Sequence, residues 1–179
     1  MQPWRRKKGL MRVPRFSTVF DPMEREVIGD LTATVSEALI KRAQSAPKDE
    51  LAAMMDMPSG HTDAPQDPSL ARLLPDFERE GDEEFDGDNS LLRSLHENDI
   101  IKAKLTNLQV INEALGPTGG VAVTIDEEDA PRVVAALNDM RLYVASAETN
   151  SEAAEQDRDN LVEWLAFCQD SLLQAMTGE

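Results

Sequence analysis

The chain has 179 residues, a formal net charge of −16 and 41% hydrophobic residues, of which aromatics supply little. Such a length suits one domain with a sizeable core, and a body this acidic repels DNA phosphate and anionic lipid. One cysteine, Cys168, rules out an internal disulfide framework, no apolar run approaches the roughly 20 residues of a membrane span, and no apolar segment follows the basic N-terminus as a secretory signal requires; the cytoplasm is the expected location.

The charge is unevenly placed. Residues 1–15 hold Arg5, Arg6, Lys7, Lys8, Arg12 and Arg15 and no acid, leaving 12 basic against 34 acidic residues, a net of −22, in the rest. Residues 1–20 therefore read as a basic arm on an acidic body. Trp4 to Val13 reads as extended, with Lys8-Gly9 as a hairpin turn, and Pro14 is expected to interrupt it.

Asp21-Pro22-Met23-Glu24 is a helix start: Asp21 can accept from an orphan N–H, Pro22 fits the first helical position and Glu24 can reach back. Val27, Ile28, Leu31, Val35, Ala38 and Leu39 recur at helical spacing, which predicts a helix over 22–44. Pro47 to Met55 reads as a short helix, and Pro58 to Pro65 has loop chemistry. Asp67-Pro68 starts a short helix with Leu70, Leu73 and Leu74 on its apolar side, ended by Pro75. Residues 76–89 carry eight acids against Arg79 alone and read as an acidic, mobile connection. A long helix is expected from Ser90 to Leu115, with Leu91, Leu95, Ile101, Leu105, Leu108 and Leu115 on its apolar side and Gly116-Pro117 as its stop.

Val121, Val123 and Ile125 alternate within 119–125, the pattern of a half-buried strand. Asp126 is then expected to cap a helix whose stripe is Val133, Leu137, Met140 and Val144. The last helix, 152–177, carries Leu161, Leu165, Cys168, Leu172 and Met176, with Trp164 and Phe167 beside them. Four long helices can hide their stripes only against one another, and the strand needs a partner, for which the arm is the best candidate. The expected fold is mainly α: a four-helix-type bundle with a small antiparallel β ribbon, in a single domain over 1–179, its core containing Leu31, Leu105, Leu137, Leu165 and Leu172.

Catalytic signatures are absent. Gly116-Pro-Thr-Gly119-Gly120 lacks the lysine and the spacing of a phosphate loop. His96-Glu97-Asn98-Asp99 begins like a zincin helix, but Ile100 stands where the second histidine belongs. The run from Asp82 to Asp88 lacks the ligand spacing of a calcium loop, so no metal and no cofactor is expected. Cys168 lies on an apolar stripe and reads as a buried structural thiol. Met54, Met55 and Met57 form a soft apolar tract, more in keeping with local core filling than with a groove. His96, Glu97, Asn138 and Arg141 are candidates for one polar network. Trp4, Arg5, Arg6, Lys7 and Lys8 are candidates for contact with nucleic acid or a partner, the aromatic stacking and the cations meeting phosphates; the alternative is that these cations pair with the protein's own acids.

Pro14-Arg-Phe16, Asp67-Pro-Ser-Leu-Ala-Arg-Leu-Leu-Pro-Asp-Phe77, Leu95-His-Glu97 with Lys102-Ala-Lys104, Leu137-Asn-Asp-Met-Arg-Leu142, Trp164-Leu and Leu172-Leu-Gln-Ala-Met176 occur in this order. With them the chain resembles, over nearly its whole length, the actinobacterial "domain of unknown function" family numbered two-zero-one-seven. Some members of that family are described as redox-responsive transcription regulators in oxidative stress and cysteine metabolism, acting with an RNA polymerase sigma factor. The resemblance implies a non-enzymatic regulator with a protein partner, the sigma factor among the candidates; a homodimer is left open, and DNA is expected to be bound only weakly or indirectly. An internal redox switch needs two cysteines and this chain has one, so Cys168 could act in redox sensing only through a bond to another molecule. The rival readings are a direct DNA binder using the arm and a small hydrolase or metal enzyme around His96.

Overall fold

The computed structural model describes residues 1–9, 12–48, 50, 54–55, 59–78, 85–117 and 119–178. In chain order its elements are strands β1 (Arg5–Gly9) and β2 (Arg12–Val19), helices α1 (Pro22–Gln44), α2 (Pro68–Leu73) and α3 (Phe85–Leu115), strand β3 (Ala122–Asp126), and helices α4 (Ala130–Ala145) and α5 (Glu152–Thr177). The four long helices form the bundle: α1 packs on α3, α3 on α4 and α4 on α5, while α2 lies against α4. No helix among the described residues is long and apolar enough to cross a membrane.

The three strands form one antiparallel sheet in the order β1-β2-β3. The arm does partner the later strand, through Arg15–Val19 paired with Ala122–Asp126. Lys8-Gly9 is not the expected turn: Gly9 belongs to β1 and pairs with Arg12, and residues 10–11 lie outside the described set. Pro14 does not interrupt the strand. Between the pairs Lys7–Arg15 and Gly9–Arg12, two residues of β2, Val13 and Pro14, stand against Lys8 alone. Pairing with β3 begins only at Arg15. Proline lacks an N–H and is tolerated at such a bulge, where the ladder asks for no donor.

Helix α1 starts as its sequence demands. The Asp21 carboxylate accepts from the N–H groups of Met23 and Glu24 at 2.8 and 3.0 Å, and Glu24 returns a bond to the Asp21 N–H at 2.8 Å. Helix α3 begins at Phe85, not Ser90. Of the expected acidic connection, residues 79–84 lie outside the described set; on either side of it the Phe77 N–H donates to the Asn89 side chain at 2.8 Å. The inward face of α3 also differs. Leu91 is 55% exposed, whereas Asn89, Arg93, Glu97, Ile101, Leu108, Ile111 and Leu115 are buried. Successive residues turn by about 100°, so Leu91, two positions from both Asn89 and Arg93, points away from the face they share. The face is polar in its first half and apolar in its second.

Strand β3 runs over Ala122–Asp126, with Val123 and Ile125 buried. Asp126 does not cap the next helix. The capping position is Asp129, whose side chain makes no capping bond, while the Asp126 carbonyl accepts the Asp129 N–H at 3.1 Å and its carboxylate pairs with Arg15. Leu137, Leu165 and Leu172 are buried at the centre of the core, and Leu31 and Leu105 pack half-buried against it. Within the expected short helix at 47–55, residues 49 and 51–53 lie outside the described set, as does Met57; Met54 and Met55 are exposed. Gly60 is required by close packing: a Cβ there would lie 2.8 Å from the Ser94 carbonyl oxygen of α3. We expect Gly60→Ala to lower stability by about 1–3 kcal/mol, the range of an overpacked site, and an unchanged urea midpoint would contradict that packing.

Candidate functional site

The basic end of the chain is built on the sheet. Strand alternation places Arg5 and Lys7 on the face opposite the core, and the register extends that face into two rows, Lys7–Arg15–Asp126 and Arg5–Ser17–Thr124. Arg5, Arg6 and Lys7 are all exposed. Two of the cations in this region answer the protein's own acids: Arg6 pairs with Glu127 at 2.9 Å and Arg15 with Asp126 at 2.7 Å. The Lys8 side chain lies outside the described set.

Trp4 does not join them. It is 6% exposed, its main-chain N–H donates to Ser171 Oγ at 2.8 Å, and its ring lines an apolar cavity of about 20 Å³ with Phe20, Ile111, Leu137 and Cys168. An indole packed in the core has no face to offer a nucleic-acid base. The expectation that Trp4 and the cations form one contact surface is therefore corrected: the cations face solvent and the tryptophan anchors the arm to α5.

The four polar candidates separate into two groups. Asn138 accepts from Arg141 at 3.2 Å on α4. Glu97, on α3, pairs instead with Arg42 of α1 at 2.6 Å and with Arg93 one turn earlier at 2.7 Å. His96 is exposed, its ring 6.2 Å from that of Phe77. The described hydrogen bonds do not join the two groups. Adjacent helix positions such as 96 and 97 differ by about 100°, so one can be buried and the other exposed.

Arg93 and Arg42 are the residues that sequence reasoning missed. Arg93 is fully buried; it donates to Glu97, to Asp76 at 2.8 Å and to the Leu74 carbonyl at 3.1 Å, and the Phe77 ring lies 5.9 Å from its guanidinium carbon. Arg42 also donates to the Asp63 carbonyl, and the His61 ring nitrogen lies 2.9 Å from the Arg42 carbonyl. Two guanidinium groups thus face two carboxylates, and the cluster ties the segment from His61 to Phe77 onto α1 and α3. Beside it is a hollow of about 100 Å³ lined by Leu74, Pro75, Phe77, Ile100, Arg93 and Glu97. The signal for the cluster was present in the i, i+4 spacing of Arg93 and Glu97 in register with Ile101 and Leu108. A second bridge, Lys104 to the buried Asp139 at 2.7 Å, joins α3 to α4.

Cys168 is fully buried, with its sulfur 3.4 Å from that of Met1. Burial, assisted by the nearby Glu24 carboxylate, pushes its thiol from 9.0 up to about 12. The thiolate is the reactive species, so a thiol reagent at pH 8 is expected to label the native protein slowly and the urea-unfolded chain at once; fast native labelling would contradict this. The linkage has a definite sign. The raised thiol contributes stability that is complete below pH 9 and is lost as the pH rises toward 12. Wild type should therefore lose stability relative to Cys168→Ala between pH 8 and pH 10.5, as read from urea midpoints.

Among the described residues no three His, Cys, Asp or Glu side chains are gathered as a metal site. Residues 1–176 match the family described as "Domain of unknown function (DUF2017)". Proteins of Mycobacterium bovis and Mycobacterium tuberculosis named "Oxidative stress regulator AosR" are 32% identical over 186 aligned residues, covering 92% of this chain and 84% of theirs. A Mycobacterium leprae protein that also bears the name AosR is 35% identical over 138 residues, covering 72% of this chain and 63% of its own. No solved structure matches.

Proposed function

We propose, from the premise that this chain belongs to the DUF2017 family, that it is a non-enzymatic regulator of the oxidative-stress response acting through a protein partner in the cytoplasm. The observation that carries this reading is the similarity, along nearly the whole chain, to proteins named oxidative stress regulator. The partner belongs to the transcription machinery, with an RNA polymerase sigma factor as the first candidate, in keeping with the family resemblance.

Two features favour a protein partner over DNA. Trp4 is withdrawn into the core, and Arg6 and Arg15 are already paired with carboxylates. What remains exposed is a small group of cations on a body whose field repels phosphate. Duplex DNA should therefore bind weakly, with an affinity that falls steeply with salt.

The test is affinity purification of the tagged full chain from its native host, with and without peroxide, together with transcript profiling of a strain that lacks it. The expected result is co-purification of a sigma factor or polymerase subunit and a changed peroxide response. Tight, sequence-specific binding of duplex DNA by the purified chain at about 150 mM salt would replace this reading with direct DNA binding.

A further inference from the structure

Strand β1 ends the sheet. It pairs with β2 on one side, and among the described residues the order β1-β2-β3 leaves its other side without a strand. Helix α5 packs against β1, and at its start Ser171 accepts the Trp4 main-chain N–H. From Arg5 to Lys7 the main chain makes no hydrogen bond outside the β1–β2 ladder among the described residues. An edge of this kind presents N–H and C=O groups to any extended chain that can approach it.

Charge decides what can approach. Arg5 and Lys7 project together on the outer face, and among the described residues neither has an ion-pair partner. A second copy laid along the same edge would set cations against cations, which disfavours the pairing. The continuation of the outer rows points the other way. The row Lys7–Arg15–Asp126 ends at β3 in a carboxylate against Arg15 and at β1 in a cation with, among the described residues, no acid paired to it. A strand added next to β1 would place alternate side chains opposite Arg5 and Lys7. Carboxylates at those positions would be matched.

We propose that the β1 edge, Arg5 to Lys7, is the docking site for an extended acidic segment of the regulatory partner, which adds to the sheet as a fourth strand with acids at alternate positions. This rests on the reading of the protein as a partner-binding regulator and deepens it. Main-chain bonds would supply the strand pairing, and the alternate carboxylates would select the sequence. The bulge between Lys7 and Gly9 limits the docking stretch to its first three residues.

The test uses the full chain and a synthetic eight-residue peptide in which Glu alternates with Val. Amide spectra and hydrogen exchange of the labelled protein report the site, and a titration at two salt concentrations reports the affinity. The expected result is shifts and slowed exchange centred on Arg5–Lys7. Affinity should fall at least about tenfold in an R5E/K7E variant and less in R5Q/K7Q. A peptide with proline at its centre should not bind, because strand addition needs the main-chain N–H. Three results would overturn the proposal: perturbations centred elsewhere, binding indifferent to R5E/K7E, or equal binding of the proline peptide, which would reduce the effect to charge attraction. Tight duplex DNA binding lost in R5E/K7E would overturn it in favour of a nucleic-acid surface. Thermal unfolding of both variants shows whether the sheet is intact. Purification from the native host separates the two levels of argument. If R5E/K7E captures the partner as well as wild type does, the edge proposal fails and the regulator reading stands; if wild type captures no transcription protein, the regulator reading itself fails.

Discussion

Replacing Glu97 by alanine should lower the stability of the folded chain by about 3–5 kcal/mol, the range observed when one member of a buried ion pair is removed. The Glu97 carboxylate is 1% exposed and accepts from both Arg42 and Arg93. Without it, the fully buried Arg93 keeps only Asp76 and the Leu74 carbonyl as partners for its guanidinium. Arg42 lies nearer the surface and can turn to solvent, so most of the loss is expected to arise at Arg93. The effect should be nearly insensitive to salt, because buried charges are poorly screened. Urea unfolding of wild type and Glu97→Ala measures it. Glu97→Gln, which keeps an acceptor, should lose less. A double variant, Arg93→Met with Glu97→Leu, should recover much of the loss, since apolar side chains of similar volume often replace a buried pair at little cost. A loss below about 1 kcal/mol in Glu97→Ala would mean that the site is wet and the pair behaves as a surface one.

Trp4→Ala should be of similar size, about 3–5 kcal/mol, the cost of deleting a large buried aromatic side chain. Trp4 packs among Phe20, Ile111, Leu137 and Cys168 and so joins the sheet to the helices beneath it. The indole N–H is buried without a partner. Trp4→Phe removes that orphan donor together with some volume, two changes of opposite sign, so its net effect should stay within about 1 kcal/mol. The pair of variants separates the core role from a nucleic-acid role. If Trp4 were a stacking surface, alanine would cost little stability and would weaken DNA binding at every salt concentration. If it is an anchor, alanine lowers the urea midpoint and disturbs the neighbouring strands, and phenylalanine does neither.

The helices were legible because their information is local. The Asp21–Glu24 capping box, the Asp67-Pro68 start and the 3-4 spacing of Val133, Leu137, Met140 and Val144 all lie within a few residues of the structure they specify. Four such stripes require a bundle, and a lone alternating strand requires a partner, so the architecture followed from the elements. The burial of Cys168 was legible for the same reason, since it shares its stripe with Leu165 and Leu172.

What the sequence could not decide was the fate of polar side chains whose partners are distant in the chain. Glu97 was grouped with His96, Asn138 and Arg141 and Arg93 was not singled out, because a charge is buried only when its counterpart is in place, and here the counterparts come from α1 and from the segment after α2. The polar half of the α3 face was therefore read through Leu91, which points to water. Trp4 sits next to four cations in sequence, yet strand alternation and the Ser171 hydroxyl of α5 draw it inward while Arg5 and Lys7 stay outside. Hydrophobic period is a property of a segment and can be read from it. Which charges are matched, and which tryptophan is covered, depends on what another segment brings across the core, and that was set only when α1, α3, α5 and the sheet came together.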